Sequence, residues 1–241
     1  MTTTAGTGRL AGRVALVTGA SRGIGAAIAR AYAREGAELI LTARTTGGLE
    51  EIDDEIRQIS GKTSLLVPFD LKDFDAIDRL GAALYERYGR LDILVGNAGV
   101  LGTLSPLGHI SPKEFQEVID LNLTANWRLL RVMDPLLRQS EAGRAIFVSS
   151  GAAQGARAYW GTYAISKAAL EMMVGIYAQE ILQTKVRANM IDPGRVRTRM
   201  RAKAYPGEDP MTLKTPDEIM APFVTLAEAG FTGNGEVVKA Q

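Results

Sequence analysis

The sequence predicts an α/β fold: one doubly wound domain built on a parallel sheet of about seven strands, flanked by helices. Three observations carry this. Runs rich in Val, Ile and Leu alternate along the chain with helical stretches of about 10 to 15 residues. Those runs are apolar on both faces, as strands covered by helices on both sides require. A glycine cluster, Gly19-Ala20-Ser21-Arg22-Gly23-Ile24-Gly25, stands at the first strand-to-helix turn. A closed eight-stranded barrel alternates in the same way, but this chain supplies about seven units, and right-handed crossovers then favour the open arrangement.

Taken in order, VALVT (14–18) is the first strand, and the alanine-rich AAIARAYAREGA after the glycine turn is the first helix, ended by Gly36. ELILTA is the second strand, and EEIDDEIRQI forms a helix after Gly47 and Gly48. TSLLVPF is the third strand, 73–88 the next helix and LDILVG the fourth strand. Ser111-Pro112-Lys113-Glu114 combines a hydroxyl cap, proline at the first helical position and a carboxylate in the first turn, so a helix starts there and runs toward Asp134, where Pro135 kinks or ends it. AIFVSS is the fifth strand, 163–183 a helix and KVRANMI the sixth strand. Thr215-Pro216-Asp217-Glu218 repeats the capping pattern before a last helix, and GEVVKA is a short seventh strand.

Residues 1–9 are expected to be a flexible start, and 10–241 a single domain with no internal boundary. The long irregular stretch after Pro193 suggests a substrate lid over 194–214. The chain has 241 residues, a hydrophobic fraction of 46% and a charged fraction of 23%, ordinary globular values. Its 28 basic and 27 acidic side chains nearly cancel, which argues against a dedicated nucleic-acid binder. No apolar run is long enough to span a membrane, and the opening residues lack a signal-peptide core, so a cytoplasmic protein is expected. With no cysteine and one histidine, His109, thiol chemistry, a zinc site and a Ser/His/acid triad have little to work with, and no metal is expected.

The glycine turn has the spacing Gly-x3-Gly-x-Gly. Gly19, Gly23 and Gly25 allow a tight turn and close backbone approach, and the helix start beyond Ser21, Arg22 and Ile24 offers free N–H groups to a pyrophosphate. Glycine clusters also serve plain turns, but in a strand–turn–helix unit this one points to a dinucleotide. An acidic residue at the end of the second strand would hold a ribose 2′-hydroxyl. Here Ala43 is followed by Arg44, with Arg22 already in the first turn. Two cations suit the 2′-phosphate of NADP(H), although solvated arginines would look the same. Asp70, ending the third strand, can accept from an adenine amine or simply face water.

Tyr163 and Lys167, four apart in YAISK, share a helical face. A phenol is a poor base near neutrality, and a neighbouring ammonium would favour its phenolate. Ser150, ending the fifth strand, can hold a carbonyl or alcohol oxygen opposite Tyr163, or cap the strand. Asn122, inside the helix opened by Ser111, is costly there unless its amide is used, either structurally or to anchor a water relay to Lys167.

From about Leu10 to Val238 these features together resemble the short-chain dehydrogenase/reductase family, and in particular a bacterial cytoplasmic NADP-preferring subgroup. The match covers the turn from Thr18 to Gly25, Asn97-Ala98-Gly99, Asn122, Ser150, Tyr163 with Lys167, Pro193-Gly194 and Thr198. The resemblance implies a Rossmann-type seven-stranded domain and a catalytic tetrad of Asn122, Ser150, Tyr163 and Lys167. It implies NADP(H) contacts that add Leu71 and Val196 to the residues already named, with Thr198 at the nicotinamide amide. It also implies hydride transfer between nicotinamide and a small carbonyl or alcohol substrate, in a homodimer or homotetramer paired through helices 113–138 and 162–183. A carbonyl reductase is the leading expectation. An alcohol dehydrogenase, a reductase acting on acyl-carrier substrates and a slow nucleotide-binding regulatory protein are the alternatives.

The sequence departs from the family pattern at Gly96, where an asparagine is frequent, and at Asp192, where Asn or a small residue is frequent. It also lacks the later Gly-Gly after Phe231-Thr232-Gly233. Arg195, Arg197, Arg199, Arg201 and Lys203 crowd the lid and can attract an anionic group or face solvent. Leu101, Trp160, Met200, Tyr205 and Met211 are candidates for an apolar substrate wall.

Overall fold

The structure is a computed structural model that describes residues 8–241. Of the expected loose start, residues 1–7 lie outside the described residues. Arg9 is tied down, its backbone N–H donating to Glu35 at 2.9 Å and its guanidinium to Thr225 Oγ1 at 3.1 Å.

In chain order the elements are β1 (Val14–Thr18), α1 (Gly23–Arg34), β2 (Glu38–Ala43), α2 (Thr46–Ser60), β3 (Leu65–Pro68), α3 (Phe74–Tyr88), β4 (Ile93–Gly96), α4 (Pro112–Ile119), α5 (Ala125–Arg138), β5 (Arg144–Val148), α6 (Gly161–Glu180), β6 (Arg187–Asp192), α7 (Arg199–Ala204), α8 (Met220–Ala227) and β7 (Val237–Lys239). The seven strands form one sheet in the order β3-β2-β1-β4-β5-β6-β7, and every pairing is parallel. The order reverses beside β1, where β4 pairs on the side opposite β2. The carboxyl ends of β1 and β4 therefore open the crevice in which such sheets bind ligands.

The apolar-through strands read from the sequence have a direct structural cause. On β1, Ala15 and Val17 join the core under α1, α2 and α8, while Val14 and Leu16 join the core under α3, α5 and α6. The strand is buried along its whole length because each face has its own helical layer.

Several boundaries differ from the sequence reading. Gly47 and Gly48 lie inside the first turn of α2, so the helix begins at Thr46 rather than after them. The third strand shortens to four residues. Ser111 caps α4 with a complete capping box to Glu114, as its spacing predicts. The helix is then interrupted by a π-helical turn, Asp120–Thr124, well before Pro135. Pro135 does not end it. It sits in the last turn of α5, which continues to Arg138, held by Arg138–Asp134 bonds and by the Tyr177 hydroxyl donating to Asp134 at 2.6 Å. The last helix is preceded by a 3-10 turn over Asp217–Ile219. The stretch after Pro193 is more ordered than expected, with α7, a 3-10 turn over Pro210–Thr212 and a β-bridge from Val196 to Lys214. Among the described residues no helix is long and apolar enough to cross a membrane.

Candidate active site

The crevice is built first from backbone. The buried Thr18 hydroxyl donates to Val95 O at 3.2 Å and accepts from the N–H groups of Asn97 and Ala98 at 3.0 and 3.1 Å. Asn97 Nδ2 donates back to Thr18 O at 2.8 Å. One threonine and one asparagine thus pin the ends of β1 and β4 together where the strand order reverses.

The glycines have distinct uses. Gly19 has φ +65° and Gly23 φ +59°, a region that penalises a side chain. A Cβ on Gly25 would stand 2.2 Å from Gly19 O, so only glycine lets α1 begin this close to β1. Arg22, in the cap position of α1, is extended and makes no side-chain cap bond, so it leaves the first amides of α1 to a ligand. Beside Gly23 the nearest atom to a notional Cβ is Thr198 Cγ2 at 3.9 Å, which brings the base of the lid over this turn.

Arg22 and Arg44 are both exposed, at the start of α1 and just past β2, and Ala43 ends β2 buried. Ser21 packs against the start of α2, with its Cβ 3.0 Å from a notional Cβ on Gly48. Asp70 closes its own turn by accepting from Lys72 N at 3.0 Å, and Leu71 beside it is buried.

The candidate reacting groups gather at the carboxyl ends of β4, β5 and β6. Tyr163 and Lys167 face inward from the first turns of α6, and Tyr163 is only 7% exposed. Lys167 Nζ lies 5.9 Å from the Tyr163 ring centroid and donates to Val148 O at 2.7 Å. Ser150 follows β5, and its hydroxyl acts on the Tyr163 phenol, pulling it back toward its ordinary range. The Ser150 Oγ accepts from Ala152 N at 3.2 Å, capping a short 3-10 turn.

Electrostatics reverse one expectation. Burial holds the Tyr163 phenol above its ordinary range and the Asp192 carboxylate pushes the same way, while the Ser150 hydroxyl pulls back. Burial lowers Lys167 to about 8, opposed by the charge of Glu171. The phenol is therefore a protonated group at neutral pH, a donor rather than a ready base.

Asn122 falls in the π-helical turn, fully buried. Its Oδ1 accepts from Val100 N at 2.8 Å, and its Nδ2 donates to Val100 O at 2.9 Å and Ser166 Oγ at 3.0 Å. The side chain is thus spent on the loop after β4. It makes no direct hydrogen bond with Lys167; both face the space beside Gly99, where a notional Cβ would stand 3.2 Å from Asn122 Oδ1 and 3.7 Å from Lys167 Nζ. The sequence reading missed Ser166, although a serine directly before Lys167 in a helix interior is a readable oddity. It also missed Thr18 as the organiser of the crevice.

Pro193 and Gly194 follow β6. Gly194 has φ +70°, and Gln241 Nε2 donates to Pro193 O at 2.7 Å, fastening the base of the lid. Thr198 caps α7 by accepting from Arg201 N at 3.1 Å, and Val196 is buried. The five lid cations separate: Arg201 pairs with Glu208 at 2.6 Å, Lys203 reaches Gly102 O at 3.2 Å and half-buried Arg197 donates to Met211 Sδ at 3.2 Å, while Arg195 and Arg199 are exposed. Of the apolar wall, Trp160 lies edge-on to Tyr163 at 6.0 Å and packs with Tyr205 at 5.8 Å, and Leu101 is buried. Met211 is 75% exposed. His109 is exposed on a 3-10 turn.

Comparison with known proteins gives concordant results. A family model described as short chain dehydrogenase matches residues 13–209. The oxidoreductase YciK of Escherichia coli is 40% identical over 216 residues, covering 89% of this chain and 85% of that protein. A Mycobacterium tuberculosis protein named as an NAD-dependent oxidoreductase is 35% identical over 253 residues, covering 92% of each. A solved short chain dehydrogenase from Shigella flexneri, complexed with NADP, superposes with TM-score 0.94 at 38% identity, covering 98% of this chain and 100% of that one.

Proposed function

The chain belongs to the short chain dehydrogenase family and is an oxidoreductase, and from that premise we propose that it is an NADP(H)-dependent carbonyl reductase. The observation that carries this reading is a buried, protonated Tyr163 next to Ser150 and Lys167, at the mouth of the crevice that the glycine turn opens. The cradle fits a dinucleotide: α1 starts without a side-chain cap, Gly25 excludes any Cβ, and Gly23 leaves open space next to Thr198. Arg22 and Arg44, with no acid at the end of β2, favour a 2′-phosphate.

In this reading Gly19, Ser21, Arg22, Gly23, Ile24, Gly25 and Arg44 hold the phosphate side of the cofactor. Asp70, Leu71, Asn97, Ala98 and Gly99 flank the adenosine and ribose. Pro193, Gly194, Val196 and Thr198 bound the nicotinamide side. When bound, NADPH supplies the hydride. Ser150 orients the carbonyl oxygen, and Tyr163 donates its proton to that oxygen as charge grows there, so both act most strongly in the transition state. The positive charge of Lys167 stabilises the phenolate left behind. Asn122 fixes the loop bearing Val100 and so holds Gly99 against Lys167. A protonated Tyr163 fits the reductive direction, in which a proton is given rather than taken. Trp160 and Tyr205 suit a partly apolar carbonyl compound, and residues 194–214 act as the lid that orders over it.

The chain is further proposed to work as a homo-oligomer paired through α5 and α6. The test of the reaction is a carbonyl panel followed by NADPH absorbance, run on the parent and on Tyr163→Phe. The variant should keep NADPH affinity within about twofold and lose roughly 100-fold or more in kcat on a substrate the parent reduces. Equal kcat in the two proteins overturns the assignment.

A further inference from the structure

Three successive turns of α6 present Tyr163, Lys167 and Glu171 at intervals of four, on one face of the helix. Opposite them stands the end of β5, and each side chain has a partner there. Tyr163 stands next to Ser150, Lys167 Nζ donates to Val148 O at 2.7 Å, and Glu171 Oε1 accepts from Ser149 Oγ at 2.5 Å. Ser149 is 2% exposed and Glu171 is half-buried, so the contact ties the carboxylate to a buried hydroxyl that lies in sequence between the anchor of Lys167 and the neighbour of Tyr163. Ser149 and Glu171 have no part in the chemistry described above.

We propose that Glu171 is a positioning residue for the reaction: locked to Ser149 one turn beyond Lys167, its carboxylate keeps the Lys167 side chain charged and held against Val148. The inference rests on the assigned role of Lys167 in the reductase reading. The physical need is plain. Lys167 is 4% exposed and its recorded hydrogen bond is to one neutral carbonyl, so burial pulls it down to about 8. Glu171 is the group whose charge opposes that pull. The other titratable groups facing this pair are few. Tyr163 comes from α6 itself and is neutral, Asp192 at the end of β6 acts on Tyr163, the end of β5 offers the hydroxyls of Ser149 and Ser150, and the π-helical turn offers the amide of Asn122. A carboxylate left free in solvent would be screened, whereas one fixed to a buried serine acts at a constant short range.

The experiment reads the lysine directly. The chain has eight lysines, at 62, 72, 113, 167, 185, 203, 214 and 239. Carbon-13 labelling at Cε, with Lys167→Arg to assign the signal, therefore gives a tractable titration by NMR. In Glu171→Gln the midpoint of Lys167 should fall by about one pH unit from the parent, and Ser149→Ala should move it in the same direction by less. The kcat ratio of parent to Glu171→Gln should be about tenfold larger near pH 8.5 than near pH 6, because Tyr163 titrates above that window. A purely structural role would lower kcat equally at both values. An unchanged Lys167 midpoint in folded Glu171→Gln overturns the proposal. If that variant does not fold, an unchanged midpoint in Ser149→Ala overturns it instead. A parent that oxidises no NADPH with any carbonyl would sink the reductase reading, while the titration would still decide the role of Glu171.

Discussion

Lys167 shows at the scale of one residue how function opposes stability here. Its amine falls from an ordinary 10.5 to about 8 on burial. Between those two values the unfolded chain holds the proton more tightly than the folded one, so stability rises with pH across that window. Below about 8 the buried charge imposes a constant cost of about 3 kcal/mol. Met fills a similar volume without a charge. Lys167→Met should therefore stabilise the protein by about 1 to 3 kcal/mol at pH 7, less the lost bond to Val148, while abolishing turnover. The gain should shrink as pH approaches 10.5. Urea unfolding at pH 7 and near pH 10 checks this, and a variant less stable than the parent at pH 7 would show that the ammonium is held at no cost. The four-residue spacing of Tyr163 and Lys167 was legible because helical periodicity alone puts them on one face. The direction of the Tyr163 shift was not, since it comes from burial and from Asp192, which arrives from a strand almost 30 positions later.

At the scale of elements, the first β-α-β unit was the most legible part of the chain, because its information is local. Gly19, Gly23 and Gly25 are demanded by φ values and by a contact six residues apart, and sequence displays such demands openly. The helix from Ser111 was half legible. Its capping box is local, but the π-helical turn at Asp120–Thr124 answers to the loop after β4, whose Val100 takes both ends of the Asn122 amide. Pro135 misled because its position in the last turn of α5, braced by α6 through Tyr177, is tertiary information. The same first unit makes cofactor choice testable. Arg44 stands just past β2, where an acid would bind a ribose 2′-hydroxyl. Arg44→Asp should weaken NADPH roughly tenfold or more and leave NADH unchanged or tighter. Dissociation constants from NAD(P)H fluorescence decide it, and an unaltered ratio of the two would remove Arg44 from the discrimination.

The whole molecule buries two cores against one sheet, yet leaves large apolar side chains uncovered on one side. Ile165, Met172 and Ile176 are 41%, 67% and 53% exposed. Their spacing of seven and four residues puts them on a single stripe of α6, turned away from Tyr163 and Lys167. Leu182 beyond the helix and Trp127 on α5 are also open, at 52% and 47%. A stripe of this kind facing water is unfavourable for a monomer, and under the proposed pairing a second copy of the same face would cover it with two-fold symmetry. The arrangement has a consequence for catalysis, because the stripe and the reacting groups occupy opposite sides of one helix. Pairing through α6 would fix the helix that carries Tyr163, Lys167 and Glu171, so assembly and activity should fail together. Met172→Glu places a charge at the most exposed point of the stripe without touching either core. Light scattering should find the parent at a multiple of 25.9 kDa and the variant at the monomer mass. kcat should fall several-fold in the variant and recover at high protein concentration, as mass action restores the pair. A variant that keeps the parent's mass would place the interface elsewhere, and a fully active monomer would separate assembly from the positioning of α6.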